Sequence, residues 1–313
     1  MVGTPAHGDI VVVGHVARDL VLSVDRFPGA EASAQVRSRL EQLGGKGANQ
    51  AVGMAQLGAP VRLVGVVGAD DVGDELLRSA RRDGIETSGM TRRGGRDESA
   101  LFLDLVDEDS GRRLIEHVPT ESWLTPQDIE RAQSVFANAS MVCLQLQQPG
   151  DALIAAARAA REAGARVVVD GAAEPEVMTE LLEYAHVIRA NAHEAELITG
   201  TEMVDEDSAV NAAQPLLHRG ADVVAFSVKG TGDVVAWPGG HRLIPFSEVS
   251  DEKVVDRTGA GDAFLAGLAV GLWSGVTAAQ AGELAAACAS STVQRLGGRP
   301  DLQALSAQMR RRR

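Results

Sequence analysis

Residues Val254–Leu272 read VVDRTGAGDAFLAGLAVGL. Two acids, Asp256 and Asp262, bracket a Thr-Gly-Ala-Gly turn, and an apolar run rich in Ala and Gly follows. Three readings compete: an anion-binding turn with a reactive carboxylate, a dinucleotide fingerprint, and the entry to a membrane helix. A Gly-Ala-Gly turn that opens a helix leaves backbone N–H groups without helical partners, and the helix dipole adds positive potential there. Glycine lets an anion come close to the backbone. Asp262 would repel that anion unless it had a task. Beside a phosphate hole, a carboxylate can accept the proton of a hydroxyl that attacks phosphorus, while the N–H groups stabilise the transferred charge.

The dinucleotide reading fits less well. GAGDAF lacks a third Gly at the required spacing, and it starts at residue 259 rather than after a first strand. No GxxxxGK[ST] loop exists in the chain. The membrane reading rests on the uncharged run 263–282, twenty residues long, with Gly267 and Gly271 as a GxxxG pair. Asp262 and Glu283 bracket that run tightly. Ser274–Thr277, SGVT, reads as a helix stop followed by a new N-cap. Gln280 and the many alanines keep the hydropathy low, so no membrane span is expected.

Bulk properties narrow the class. With 313 residues, 45% hydrophobic and 23% charged, the chain suits one large α/β domain with a substantial core. The net charge is −13, or about −17 without the basic tail Arg310–Arg313, which argues against a nucleic-acid partner. The tail reads as a solvated terminus. Cys143 sits in an apolar strand pattern and Cys288 in a helical one, without metal-ligand or disulfide spacing. The first residues lack a signal-peptide pattern, so a cytoplasmic setting is expected.

Along the chain, DIVVVGHV (9–16) and VRLVGVVG (61–68) read as buried parallel strands. DLVLSV (19–24) alternates, and SAQVRSRLEQ (33–42) can return beside it. SALFLDLVDEDSGRRLIEHV (99–118) is the clearest hairpin. These ribbons predict a small sheet that projects from the body. After Pro126, apolar strands at 140–146, 166–170, 185–190 and 222–228 alternate with helical segments, which predicts a parallel sheet covered on both faces. A late hairpin forms around Pro238, and helices near 261–273 and 277–293 close the fold.

Other segments lower the chance that Asp262 is only a helix cap. GGKGAN (44–49) is a second Gly-rich turn opening a helix, with Lys46 and Asn49 as donors. NAHE (191–194) follows a strand, where Asn191 is either an N-cap or, with Glu194, a holder of phosphate oxygens or a hydrated metal. SVKGTGD (227–233) ends a strand where open α/β sheets place ligands.

Together these stretches resemble the ribokinase-like, PfkB-type carbohydrate kinases. The match is carried by GGKGANQAVGMAQLGA (44–59) and DRTGAGDAFLAGL (256–268), and supported by NAHEAELITG (191–200) and QRLGGRP (294–300). It extends in order over about residues 9–308, and the local pattern is nearest to the ribokinase subgroup. The resemblance implies a three-layer α/β/α fold over residues 1–313, with a central mostly parallel sheet and a β lid from about 18–42 and 98–118. It implies ATP-dependent phosphorylation of a small sugar with Mg²⁺, and a homodimer through the lid.

By matching position, Asp262 is the expected general base, and Gly259, Ala260 and Gly261 form the anion hole. Asp19, Gly44, Gly45, Lys46, Asn49 and Gln147 are expected at the sugar. Asn191, Ser227, Gly230 and Gly232 are expected at ATP, with Glu194 at Mg²⁺ through water. Asp256, Thr258, Thr292, Arg295, Gly297 and Asp301 occupy the places around a potassium-like ion, several through carbonyls. Two positions depart from the ribokinase pattern. Ala17 replaces an Asn two residues before the sugar-binding Asp, and Gln147 replaces a Glu. Losing one buried hydrogen-bond partner shifts discrimination by about 1–3 kcal/mol. Ribose is the favoured acceptor. The alternatives are a nucleoside or fructose-type kinase, a catalytically silent sugar-binding protein on the same fold, and an NAD-linked oxidoreductase. With aromatics at only 3%, the sequence does not advertise a platform for a nucleobase.

Overall fold

Gly14 and Gly47 fix where the first strand ends. A Cβ on Gly47 would sit 2.7 Å from the Gly14 carbonyl carbon, so the strand and the first helix meet backbone to backbone. Strand β1 (Asp9–Val13) therefore stops short of the run to Val16 that the sequence predicts, and the chain leaves for the lid. The computed structural model describes residues 8–94, 98–108, 111–246 and 254–311.

The lid begins at once with β2 (Ala17–Val24) and β3 (Val36–Gly44), followed by α1 (Lys46–Gln56), β4 (Val61–Gly68), α2 (Asp71–Arg82) and β5 (Met90–Arg93). The hairpin β6 (Leu101–Val106) and β7 (Arg112–His117) completes the lid. Short helices α3 (Pro126–Arg131) and α4 (Gln133–Phe136) lead to β8 (Ala139–Gln145), α5 (Gly150–Glu162), β9 (Arg166–Asp170), α6 (Pro175–Leu181) and β10 (Ala185–Ala190). Then come α7 (Ala192–Thr199), α8 (Glu206–His218), β11 (Val223–Val228), β12 (Gly232–Trp237) and β13 (Gly240–Pro245). Helices α9 (Ala260–Trp273), α10 (Ala278–Thr292) and α11 (Gln303–Arg311) follow.

The main sheet has nine strands in the order β13-β12-β11-β10-β9-β8-β1-β4-β5. It is parallel from β11 to β5, while β12 and β13 add antiparallel pairs at one edge. Alternation in β1 shows how both faces are covered. Val11 and Val13 join a core with α3 to α8, and Ile10 and Val12 join one with α1, α2, α9 and α10. This is the three-layer α/β/α arrangement expected. The second sheet runs β3-β2-β6-β7, with the β2–β6 pair parallel. Strand β5 and helix α11 were not legible, because MTRR is short and polar and α11 runs into the basic tail, taking in Arg310 and Arg311, where the sequence predicts a solvated terminus.

The apolar stretch that admitted a membrane reading is an interior helix. Every residue from Asp262 to Gly271 in α9 is buried, which accounts for hydrophobicity all around its circumference. The GxxxG pair serves a helix crossing: a Cβ would lie 2.7 Å from the Ala285 Cα at Gly267 and 2.8 Å from the Ala281 Cα at Gly271. Both contacts are on α10. Among the described residues no helix is long and apolar enough to cross a membrane. Gly267→Val is expected to force α9 and α10 apart and cost about 1–3 kcal/mol, read from the urea midpoint at unchanged m-value.

Candidate active site

Four elements converge at the carboxyl ends of the parallel strands. The Gly-rich turn before α1 comes first. Gly45 has φ 84°, a left-handed conformation that favours glycine, and a Cβ there would approach the His15 carbonyl oxygen to 2.8 Å. A Cβ on Gly44 would collide with the Asp19 carboxyl, so that glycine leaves room for the acid. Asp19 accepts from the Gly45 N–H, while its Oδ1 is buried without a partner. Burial, followed by the nearby Asp104 charge, pushes the Asp19 carboxyl up to about 7.

The turn before α9 is the second element. Gly259 has φ 74°, and a Cβ there would strike the Gly298 carbonyl. No side chain caps this helix, so its first N–H groups remain for another acceptor. Asp262 lies in its first turn and is 7% exposed. It accepts from the Gln50 amide at 3.1 Å and the Asn49 amide at 3.4 Å. Burial, reinforced by the charge of Asp170, pushes its carboxyl up to about 7.

The third and fourth elements are the ends of β9 and β10. Gln50 also donates to Asp170 at 2.8 Å, and Arg189 pairs with the other Asp170 oxygen at 2.9 Å. Gln50, Asp170 and Arg189 were not singled out in the sequence. Their signals were faint: Gln50 follows Asn49 in the Gly-rich motif, Asp170 ends an otherwise apolar strand, and Arg189 is the one Arg in AHVIRA.

Two clefts flank this centre. One, about 990 Å³, is lined by His15, Phe102, Trp123, Gln147 and Glu174 among others. Its rings form a cluster, with His15 4.5 Å from Trp123 and edge-on to Phe102 at 6.2 Å. Burial, then the Lys46 charge, lowers His15 to about 4, so the ring is neutral near pH 7. An aromatic platform thus exists despite the low aromatic content, because β6 and the segment after β7 bring Phe102 and Trp123 to His15. The second cleft, about 370 Å³, is lined by Arg189, Ser227, Asp233, Phe246 and Gly261 among others.

The expected site residues distribute unevenly. Asp19, Gly44, Gly45, Lys46 and Asn49, which the resemblance assigned to the sugar, gather at the first turn. Gln147 is exposed and lines the larger cleft, while the neighbouring Gln145 is buried and accepts from the His15 N–H. Lys46 lies 3.8 Å from Glu194. Asn191 and Glu194 cap α7 reciprocally, each accepting the other's backbone N–H at 2.9 Å. Ser227 lines the smaller cleft and donates to Asp233 at 2.6 Å, whereas Gly230 and Gly232 bound the adjoining turn rather than the lining. Asp256 holds the Thr258 and Gly297 N–H groups at 2.9 Å, joining two segments beside the Ala260 turn. Thr292 instead bonds to Cys288 within its helix, and Arg295 pairs with Asp301. Among the described residues no group of three or more His, Cys, Asp or Glu forms a metal cluster.

The model of the pfkB family carbohydrate kinases matches residues 7–305. The chain belongs to this family. It is 30% identical over 265 residues to the ribokinase of Haemophilus influenzae, covering 84% of this chain and 85% of that one. It is 32% identical over 262 residues to the bifunctional ribokinase/ribose-5-phosphate isomerase A of Fructilactobacillus sanfranciscensis. That alignment covers 83% of this chain and about half, 48%, of the relative. The structure of Arabidopsis thaliana ribokinase complexed with ribose and ATP superposes with a TM-score of 0.78 at 25% identity, covering 96% of this chain and 98% of that one. Family membership makes the chain a phosphotransferase with a hydroxyl acceptor.

The buried carboxylate has a stability consequence with a definite sign. Asp262 has a folded pKa of about 7, above its ordinary 3.8. Its native state therefore holds an extra proton between those values, and stability falls as pH rises from about 4 to 7. Asp262→Asn removes that dependence. The variant is expected to gain stability over wild type by up to a few kcal/mol at pH 8, because each pH unit between the two values costs the wild type about 1.4 kcal/mol. At pH 5 the gain is much smaller. Urea titrations at the two pH values measure the difference.

Proposed function

We propose that the chain transfers the γ-phosphoryl group of ATP to a hydroxyl of a furanose sugar, ribose favoured, with Asp262 as the general base. The observation that carries this reading is the position of Asp262. It follows Gly261, which lines the smaller cleft, and bonds to Asn49 and Gln50 from the turn that abuts His15 in the larger cleft. A hydroxyl entering from the larger cleft meets the base, and a phosphate entering from the smaller one meets the N–H groups of the 259–261 turn. A base with its pKa near 7 is matched to proton abstraction at neutral pH.

In this reading Asp19 and Lys46 hold the sugar hydroxyls, and Ser227 borders the nucleotide. Glu194 suits a hydrated Mg²⁺, which needs one or two carboxylates besides phosphates and water; that ion supplies charge neutralisation on the nucleotide. The carbonyls around Asp256, Thr258 and Gly297 suit a potassium-like ion beside the turn. Ribose is supported by the ribokinase relatives. A ribonucleoside acceptor is the second reading, favoured by the His15–Phe102–Trp123 cluster and by a cleft larger than a free pentose needs. The lid also offers a dimer surface to a second copy. On the face turned away from Asp19, Leu20, Leu103 and Ile115 lie in register, beside Leu22 and Leu105. Ile115 is 57% exposed.

A coupled ADP-release assay over ribose, fructose and adenosine tests the assignment. Turnover with ribose, lost about 10²- to 10⁴-fold in Asp262→Asn while ATP binding persists, is the expected result. Equal inactivity of wild type and variant with retained sugar binding would mark a binding protein instead. Trp123→Ala separates the two acceptors: a nucleoside kinase loses about 10-fold or more in kcat/KM through lost stacking, and a ribose kinase changes little. An acid limb in kcat/KM near pH 7, absent from a base of ordinary pKa, is also expected.

A further inference from the structure

Arg189 carries a charge at the centre of the site that neither the base nor the sugar contacts employ. It ends an apolar strand in the middle of the sheet and is 9% exposed. Burial works against its charge, but Asp170, then Glu194 and Asp233, outweigh that and hold it firmly protonated. Only one terminal nitrogen is bound by Asp170, at 2.9 Å. The Nε is buried without a hydrogen-bond partner. The guanidinium lies against the start of α9: a Cβ on Gly261 would be 2.8 Å from Nη2 and 3.0 Å from Nη1. Both Arg189 and Gly261 line the smaller cleft.

A buried orphan donor is costly, about 1–3 kcal/mol or more for a charged group, unless something in the working state engages it. Here the orphan N–H belongs to a rigid cationic fork beside the uncapped N-terminus of a fourteen-residue helix. Both features favour the same occupant, a multiply charged oxyanion.

We propose that Arg189 is a catalytic residue that binds the phosphoryl group in transit, and that Asp170 is its buried counter-ion. The inference rests on the phosphotransfer reading above. In the step, the acceptor oxygen forms a bond to the γ-phosphorus and its proton passes to Asp262. The bond between that phosphorus and the β–γ bridging oxygen breaks, and ADP leaves with the electron pair. Negative charge spread over the equatorial oxygens is met by the Arg189 fork and the 259–261 N–H groups together. Gln50 links the two halves of the device, since its amide donates to both Asp170 and Asp262. The base and the cation are thereby held in one fixed relation.

A purely structural Arg189 would exist only to neutralise Asp170. Two variants separate the roles. Arg189→Met leaves Asp170 as an unpaired buried charge, whereas Asp170→Asn/Arg189→Met removes both charges and restores the balance of the core. The proposal expects kcat to fall about 10²-fold or more in both variants. ADP affinity and acceptor KM change little, because ADP lacks the transferred group. Added guanidinium is expected to restore part of kcat in Arg189→Ala. Return of the double variant to wild-type kcat overturns the proposal and leaves the kinase reading standing. Inactivity of the wild type with every acceptor overturns the kinase reading, and this proposal with it.

Discussion

The Gln50 side-chain amide donates to two buried carboxylates, Asp170 at 2.8 Å and Asp262 at 3.1 Å. Those acids stand at the end of β9 and the start of α9, and Gln50 is on α1. One NH₂ group with two hydrogens therefore ties together three elements separated by 120 and 212 positions in the chain. Two carboxylates this close repel, and each resists losing water. The amide, the Arg189 fork and the N-terminus of α9 are the compensation. If the amide is removed, the acids lose the donor that allows both to share one buried place. The close backbone contacts follow from the same demand. Gly14 against Gly47 and Gly259 against Gly298 bring the turns near enough for a glutamine to span the gap.

What was legible in the sequence was local. The Gly-Ala-Gly turn, Asp262 and the GGKGAN turn could be read because glycines and an acid at fixed offsets carry their physical meaning within a few residues. The lid strands and the parallel sheet were legible through alternation and apolar runs. Arg189 and Asp170 were not, because a charge at a strand end acquires meaning only when its partner is known. The strand order that sets them side by side is a tertiary fact. The aromatic cluster was hidden for the same reason: His15, Phe102 and Trp123 come from three distant segments, and composition counts rings without saying where they gather. The GxxxG pair shows the converse, a local pattern whose partner was open until α10 was seen to cross at Ala281 and Ala285.

The charges around the site also fit the proposed division of labour between the two clefts. Under the proposed phosphotransfer, Asp19 and Asp262, both raised to about 7 chiefly by burial, would serve the acceptor side, where a hydroxyl would lose its proton. Arg189 and Gly261, at the uncapped start of α9, line the smaller cleft, where the proposed reaction would receive phosphate charge. Lys46 is close enough to lower His15 and lies 3.8 Å from Glu194. In the proposed reaction, an anion arriving in the smaller cleft would bring negative charge toward Asp262 and raise its proton affinity further, at the moment when it would accept a proton. A hydroxyl arriving without the anion would meet, in this proposal, a base held only near neutrality. If Asp262 is the base, the same burial that destabilises the ionised carboxylate in the resting fold would couple proton acceptance to the presence of the phosphate, a coupling that a well-solvated aspartate at this position would not provide.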